Sequence, residues 1–295
     1  MNRISRRKML AASAGAIGTG AFAGTALAER PLVRDALRRA AADDSPELAA
    51  AVDRGIEYFQ RRCDDQLPLV IELERAIRSG DLAAAKHAYV ESRPPYEEIE
   101  TLAGNFEDTD RDIDARPYAF DEGESSPGFK GFHRIEVLLY ADGDTEAALP
   151  YATELVQSIR TLGRQLGERE RFSAAGQFDG MLALATEVAA KKVSSEEETW
   201  SDQSLLIFRS NWIGVYSQYR PFAPLVGASS SGRAEAVESA YNDARDLIEP
   251  HFRSGSAAGT PYSTIGIAER RAITNASMRL RDAIEAAASE LGIEA

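Results

Sequence analysis

Ser45-Pro46-Glu47-Leu48-Ala49-Ala50-Ala51-Val52-Asp53-Arg54-Gly55-Ile56-Glu57-Tyr58-Phe59 decides the fold class. Ser45 followed by Pro46 has the form of a helix N-cap with proline at the first helical position. The apolar residues then fall at Leu48, Ala51, Val52, Ile56 and Phe59, a spacing that lines one face of a helix and matches no alternating strand. The stripe resumes past Pro68 with Leu69, Val70, Leu73, Ala76 and Ile77, and Ser79-Gly80-Asp81 stops it. The same rhythm returns along the chain. It is carried by Leu149, Ala152, Leu155, Val156 and Ile159, by Phe178, Leu182, Ala185 and Val188, by Val237, Ala240, Ala244 and Ile248, and by Ile273, Leu280, Ile284 and Ala287. No βαβ rhythm interrupts it. The pattern predicts an all-α protein of two tandem antiparallel helical bundles, over residues 45–170 and 171–295.

The boundaries between helices follow from local chemistry. Pro94-Pro95 kinks or restarts a helix that begins near Leu82, just before Tyr96. Residues 107–131 read as a loop, because Asp, Glu, Ser, Pro and Gly crowd there. A short helix over Gly131 to Ala141 follows, then a long one from about Glu146. Ser195-Glu196-Glu197-Glu198 has the spelling of a capping box that would open the next helix. Ser229-Ser230-Ser231-Gly232 reads as a break before another.

The first residues describe export. Ser5-Arg6-Arg7-Lys8, an uncharged run rich in Ala and Gly, and Ala26-Leu27-Ala28 are the parts of a twin-arginine signal peptide over residues 1–28. The run is too rich in Ala, Gly, Ser and Thr to favour a spanning helix, so cleavage and an extracytoplasmic, periplasmic product without stable membrane insertion are expected. Cleavage removes Arg3, Arg6, Arg7 and Lys8 and no acid. The formal charge of −13, from 34 basic and 47 acidic residues, then becomes −17 over 267 residues. Such a balance opposes binding to a nucleic-acid polyanion. The single cysteine, Cys63, excludes an intramolecular disulfide framework, a cysteine-based zinc site and an iron–sulfur cluster held by this chain alone.

Three histidines, His87, His133 and His251, limit imidazole chemistry. His133 and Glu136 in Gly131-Phe132-His133-Arg134-Ile135-Glu136 stand three apart, on one face of a helix. Glu97 and Glu100 in Tyr96-Glu97-Glu98-Ile99-Glu100 do the same, and Asp110, Asp112 and Asp114 follow in the acidic stretch. Carboxylates on one helix, an imidazole on another and an aspartate between them make a hard oxygen-plus-nitrogen set suited to iron, manganese or zinc. Taken singly, each acid reads equally well as a solvated face of an acidic protein.

These segments, Tyr96 to Glu100, Asp108 to Arg116 and Gly131 to Glu136, resemble the imelysin-type domain, a family that includes the EfeO and EfeM proteins of bacterial iron uptake. The resemblance continues in Lys192-Val193-Ser194-Ser195-Glu196-Glu197-Glu198-Thr199-Trp200-Ser201, then Leu205, Phe208, Asn211 and Gly214. It implies a pair of four-helix bundles and metal ligation by Glu97, Glu100, Asp114 and His133. Glu136 would be a further ligand or the partner that fixes the His133 tautomer. It also implies iron as the cargo, with zinc or copper as alternatives, and a membrane iron permease and a haem peroxidase as partners. The resemblance departs at Asp202-Gln203-Ser204 and Leu206-Ile207, where the family often has His and Asp and a Trp-Asp pair. A cupredoxin domain precedes the helical domain in EfeO-type chains, and the early start of the helices here matches the shorter EfeM-like form.

A metallopeptidase is the competing expectation, since imelysin-like proteins have been classed as peptidases. HExxH, which would supply the catalytic base, is absent from the sequence. A di-iron oxidase needs two Glu-x-x-His motifs, and this chain carries one reversed His-x-x-Glu. If His133 is a ligand with an ordinary imidazole, metal affinity should fall below about pH 6.5.

Overall fold

The computed structural model describes residues 44–195 and 197–294. The twin-arginine stretch lies outside the described residues. Among those residues the regular structure is helical, and the only β-type pairing is an isolated bridge between Phe252 and Gly259.

Helix α1 (Pro46–Arg78) starts as its sequence dictates, with Ser45 Oγ accepting from the Leu48 amide at 3.3 Å. It runs through Pro68 without ending. Its apolar stripe packs on α2 (Leu82–Ser92) and on the long helix Thr145–Gln165. Pro94 opens α3 (Pro94–Ile99), which tightens into a 3₁₀ turn over Glu100–Asn105. Next come α4 (Glu107–Asp114), α5 (Gly131–Glu136) and the long helix itself, α6 (Thr145–Gln165). Helices α4 and α5 pack on each other and on α6, sharing the fourth position of the first bundle.

The second bundle is formed by α7 (Ala174–Glu187), α8 (Ser204–Tyr219), then, past the short α9 (Ala223–Ser229), α10 (Ser231–Ile248) and α11 (Ile267–Glu290). Each of its four long helices touches two others in a closed ring. The buried side chains of both bundles join in one hydrophobic core, from Ala51 and Phe59 of α1 to Ile284 and Ala287 of α11. No helix among the described residues is long and apolar enough to cross a membrane.

Two sequence expectations fail here. Residues 107–114 are a helix and not a loop, because Phe106, Thr109 and Ile113 are buried at helical spacing. The acids Glu107, Asp108 and Asp110 stand in its first turn, where the helix dipole favours negative charge. Ser195 to Glu198 opens no helix: α8 begins at Ser204, and Ser204 Oγ accepts from the Glu198 amide at 3.0 Å.

The strip Pro94–Asn105 lies between the bundles, with α3 against both α1 and α8 and the 3₁₀ turn against α7. Its approach to α8 depends on Gly214, where an added Cβ would stand 2.2 Å from the Glu98 carbonyl oxygen. Gly214→Ala therefore cannot be absorbed by a side-chain rotation. It is expected to cost about 1–3 kcal/mol, read as a lowered midpoint in chemical denaturation, and an unchanged midpoint would contradict this packing.

Candidate metal centre

The strip between the bundles presents alternate glutamates to opposite sides. Glu98 turns to α1, where Arg62 grips it with Nε at 2.9 Å and Nη2 at 3.0 Å and the Tyr58 hydroxyl donates to it. Glu97 and Glu100 turn to α8, where Asn211 Nδ2 donates to Glu97 Oε2 at 3.1 Å and to Glu100 Oε2 at 2.8 Å. Asp114 closes α4 and points inward. Asp112 is half-buried at the surface and pairs with Lys130 at 2.9 Å, so the inward aspartate is Asp114.

Gly131 sets the position of the histidine. It has φ +76°, and a Cβ there would fall 2.1 Å from the Ile113 carbonyl oxygen, so only glycine lets α5 begin directly against the end of α4. His133 consequently reaches Asp114, with Nε2 3.5 Å from Oδ1, and its Nδ1 lies 3.2 Å from Glu136 Oε2 one turn on. Glu136 Oε1 accepts from the backbone amides of Trp200 at 2.9 Å and Ser201 at 2.7 Å. That contact draws residues 197–201 onto the cluster. Glu198 arrives with them and accepts from Tyr89 at 2.9 Å and from Ser201 Oγ at 2.7 Å. His133, Glu136 and Glu198 then each offer a ligand atom within 4.8 Å of the others. All three are buried, at 1%, 0% and 1% exposure.

Internal cations thread the same space. Arg93, fully buried, pairs with Glu97 at 2.6 Å, Asp114 at 2.7 Å and Glu198 at 2.8 Å, with its guanidinium over the Phe132 ring. Arg116 contacts Asp114 and Glu197, and Lys192 contacts Glu100 and Glu197. Six carboxylates (Glu97, Glu100, Asp114, Glu136, Glu197 and Glu198) thus face three cationic side chains and one imidazole. Counted with every carboxylate ionised, negative charge exceeds positive even with His133 protonated. His133 Nε2 and Asp114 Oδ2 are buried and reach only long ion-pair contacts, to Asp114 Oδ1 at 3.5 Å and to Arg116 at 3.4 Å, and buried polar atoms so weakly met are costly unless something else satisfies them.

The proton balance follows from this crowding. Burial opposes charge on His133, but Asp114 and hydrogen bonding to Asp114 and Glu136 outweigh it and push the imidazole up to about 9. Burial pushes Glu97 up to about 8 against the pull of Arg93. Burial and then Glu136 raise Glu198. Asp114 moves the other way: burial raises it, while Arg93 and His133 more than compensate and hold it well below the carboxylate range.

The structure therefore gathers Glu97, Asp114, His133 and Glu136 into one buried cluster and sets Glu100 at its edge, held by Lys192 and Asn211. Glu198 was hidden in the sequence because Ser-x-x-Glu spells a helix cap as readily as a site acid. Arg93 was legible, since it stands four residues before Glu97 on the same helical face. The two π-helical turns also adjoin the cluster: one, Val137–Asp142, follows Glu136, and the other, Val188–Lys192, ends at Lys192. Wide turns of this kind are frequent at functional sites because they re-aim side chains.

Paired helical bundles around a buried, carboxylate-rich histidine cluster define the class of helical protein to which the described residues belong. The chain belongs to the imelysin family, whose model (Peptidase_M75, Imelysin) matches residues 33–290. It is similar to the iron uptake system component EfeO of Yersinia pseudotuberculosis, 29% identical over 252 residues that cover 84% of this chain and 67% of the relative. EfeM of Pseudomonas syringae pv. syringae is 27% identical over 218 residues, 74% of this chain and 76% of the relative. EfeO of Escherichia coli K12 is 29% identical over 219 residues, 74% of this chain and 58% of the relative. The matched region thus spans about two thirds or less of the EfeO chains.

Proposed function

We propose that this protein is an exported iron-binding component of an EfeO/EfeM-type uptake system, which captures iron inside the bundle pair and passes it to a membrane permease. The observation that carries the reading is the crowd of buried carboxylates around His133, whose charge a bound cation would offset. Iron is cargo here, and its donors are one ring nitrogen of His133 with carboxylate oxygens of Glu136 and Glu198, a hard set that suits iron and also admits zinc or copper. The names of the relatives and the twin-arginine stretch agree with this assignment.

A peptidase role has less support. His133, Glu136 and Glu198 are almost wholly buried, which gives a peptide no access to them. Both candidate carboxylates are engaged by hydrogen bonds from Trp200, Ser201 and Tyr89, so neither stands free as a general base. Cleavage of a broad peptide library that requires added metal and disappears in Glu136→Gln would favour the peptidase reading.

Protonation gives this function a pH signature. With the imidazole near 9, His133 carries a proton at neutral pH that an arriving metal must displace. Affinity is therefore expected to rise about tenfold per pH unit from below pH 6.5 towards pH 9. The plateau above pH 6.5 that an ordinary imidazole would give is not expected, because Asp114 and Glu136 stabilise the charged ring. Calorimetry at pH 7.5 in buffers of differing ionisation enthalpy should show about one proton released per ion. No release would remove His133 from the ligand set.

A further inference from the structure

On the side of the strip to which Glu98 turns, a groove of about 400 Å³ opens between α1 and the end of α8, a volume within the range of small-ligand sites. Arg54, Glu57, Tyr58 and Arg61 of α1 form one wall, and their i, i+3, i+4, i+7 spacing puts them on a single helix face. Ser217, Arg220 and Pro221 form the other. Arg54, Arg61 and Arg220 are exposed, and among the described residues none of them pairs with a carboxylate. Arg54 Nη2 donates to the Pro221 carbonyl at 3.1 Å, which ties that guanidinium to the opposite wall. The Tyr58 hydroxyl donates to Glu98, which Arg62 also grips, so the inner end of the groove is a fixed polar wall.

Three guanidiniums against the one carboxylate of Glu57 reverse, in this groove, the balance of a chain with 34 basic and 47 acidic residues. A free cation is disfavoured there. Guanidinium forks instead match the paired oxygens of a carboxylate, and acids farther off than about 8 Å are screened at physiological salt. The spacing selects the shape of the anion. Arg54 and Arg61 are seven residues apart, about 10 Å along the helix, and Glu57 stands between them. A compact anion that reaches both must also face Glu57, whereas a longer one with carboxylates at separated ends avoids it. The geometry points to a binding site for a small di- or tricarboxylate at the seam of the two bundles, held by Arg54, Arg61 and Arg220 from both walls. None of these residues belongs to the buried cluster around His133, so the inference stands apart from the iron reading.

Native protein stripped of metal is titrated calorimetrically with citrate at fixed ionic strength, and in parallel with phosphate and with a hexaglutamate peptide. One saturable citrate site per chain is expected, weakened on the order of tenfold or more in Arg61→Gln with Arg220→Gln. Arg281→Gln should leave it unchanged, since Arg281 pairs with Asp282 and Glu285 on α11. The two groove arginines are exposed, so the double variant is expected to keep the native circular dichroism. If it does not, Arg61→Gln and Arg220→Gln are read singly, each with weakened citrate binding. Citrate binding that is absent, or equal in native and variant chains, overturns the site. Phosphate that binds as tightly as citrate, or hexaglutamate that binds where citrate does not, overturns the ligand class. The titration contains no metal, so its failure leaves the proposed iron function untouched.

Discussion

His133→Ala and Glu198→Ala are each expected to weaken Fe(II) binding by on the order of 100-fold or more, since loss of a partner that merely orients a ligand already costs about 10–100-fold. His133 supplies the single imidazole of the cluster: His251 pairs with Glu269 at 2.8 Å on the second bundle, and His87 is exposed on α2. Glu198 is the sharper test, because it lies outside the His-x-x-Glu motif and is held in the site by contacts between distant segments: Glu136 with the Trp200 and Ser201 amides, and Glu198 itself with Tyr89 and Arg93. Asp112→Ala serves as the control, since Asp112 is paired with Lys130 outside the buried cluster. An anaerobic competition titration against a chelator of known affinity reads all three variants. If Glu198→Ala binds within about threefold of native, the inner site is not built as described.

Arg93→Met is expected to produce the largest loss of stability. The guanidinium is fully buried and holds Glu97, Asp114 and Glu198 together from three chain segments. Its removal leaves three carboxylates packed against one another without their common counterion. Breaking a buried ion pair from one side costs about 3–5 kcal/mol, because the remaining charge stays desolvated. In a chain of this size each kcal/mol moves the midpoint by about 2–4 °C, so a fall on the order of 10 °C is expected in the metal-free protein. Added Fe(II) should recover part of it, as a bound cation restores positive charge beside Glu198. A midpoint within about 2 °C of native would mean that Arg93 is not the keystone of the cluster.

What the sequence revealed of this site follows from how each residue signals itself. His133 and Glu136, and likewise Glu97 and Glu100, stand three apart on one helix, so their common face could be read without a structure. The apolar stripes from Leu48 to Phe59 and from Ile273 to Ala287 fixed the helices for the same reason. Asp114 could be told from Asp112 only once α4 was known to be helical, and that helix was masked by its acidic composition; besides Asp114, its buried face is Phe106, Thr109 and Ile113. Glu198, Arg116 and Lys192 meet the rest of the cluster across distant chain segments. Nothing local marks them as buried, and charged residues are expected at the surface. Gly131 carried its meaning in a positive φ and a carbonyl 2.1 Å from where a Cβ would be, neither of which a sequence displays.

The central claim is that iron sits among His133, Glu136 and Glu198. Crystals of the stripped native protein soaked in Fe(II), with diffraction recorded on either side of the iron absorption edge, test it most directly. The account predicts one strong anomalous peak within coordination distance of a His133 ring nitrogen and of carboxylate oxygens from Glu136 and Glu198. A peak on exposed acids alone, with the buried cluster still closed around Arg93 and no density at His133, would contradict it.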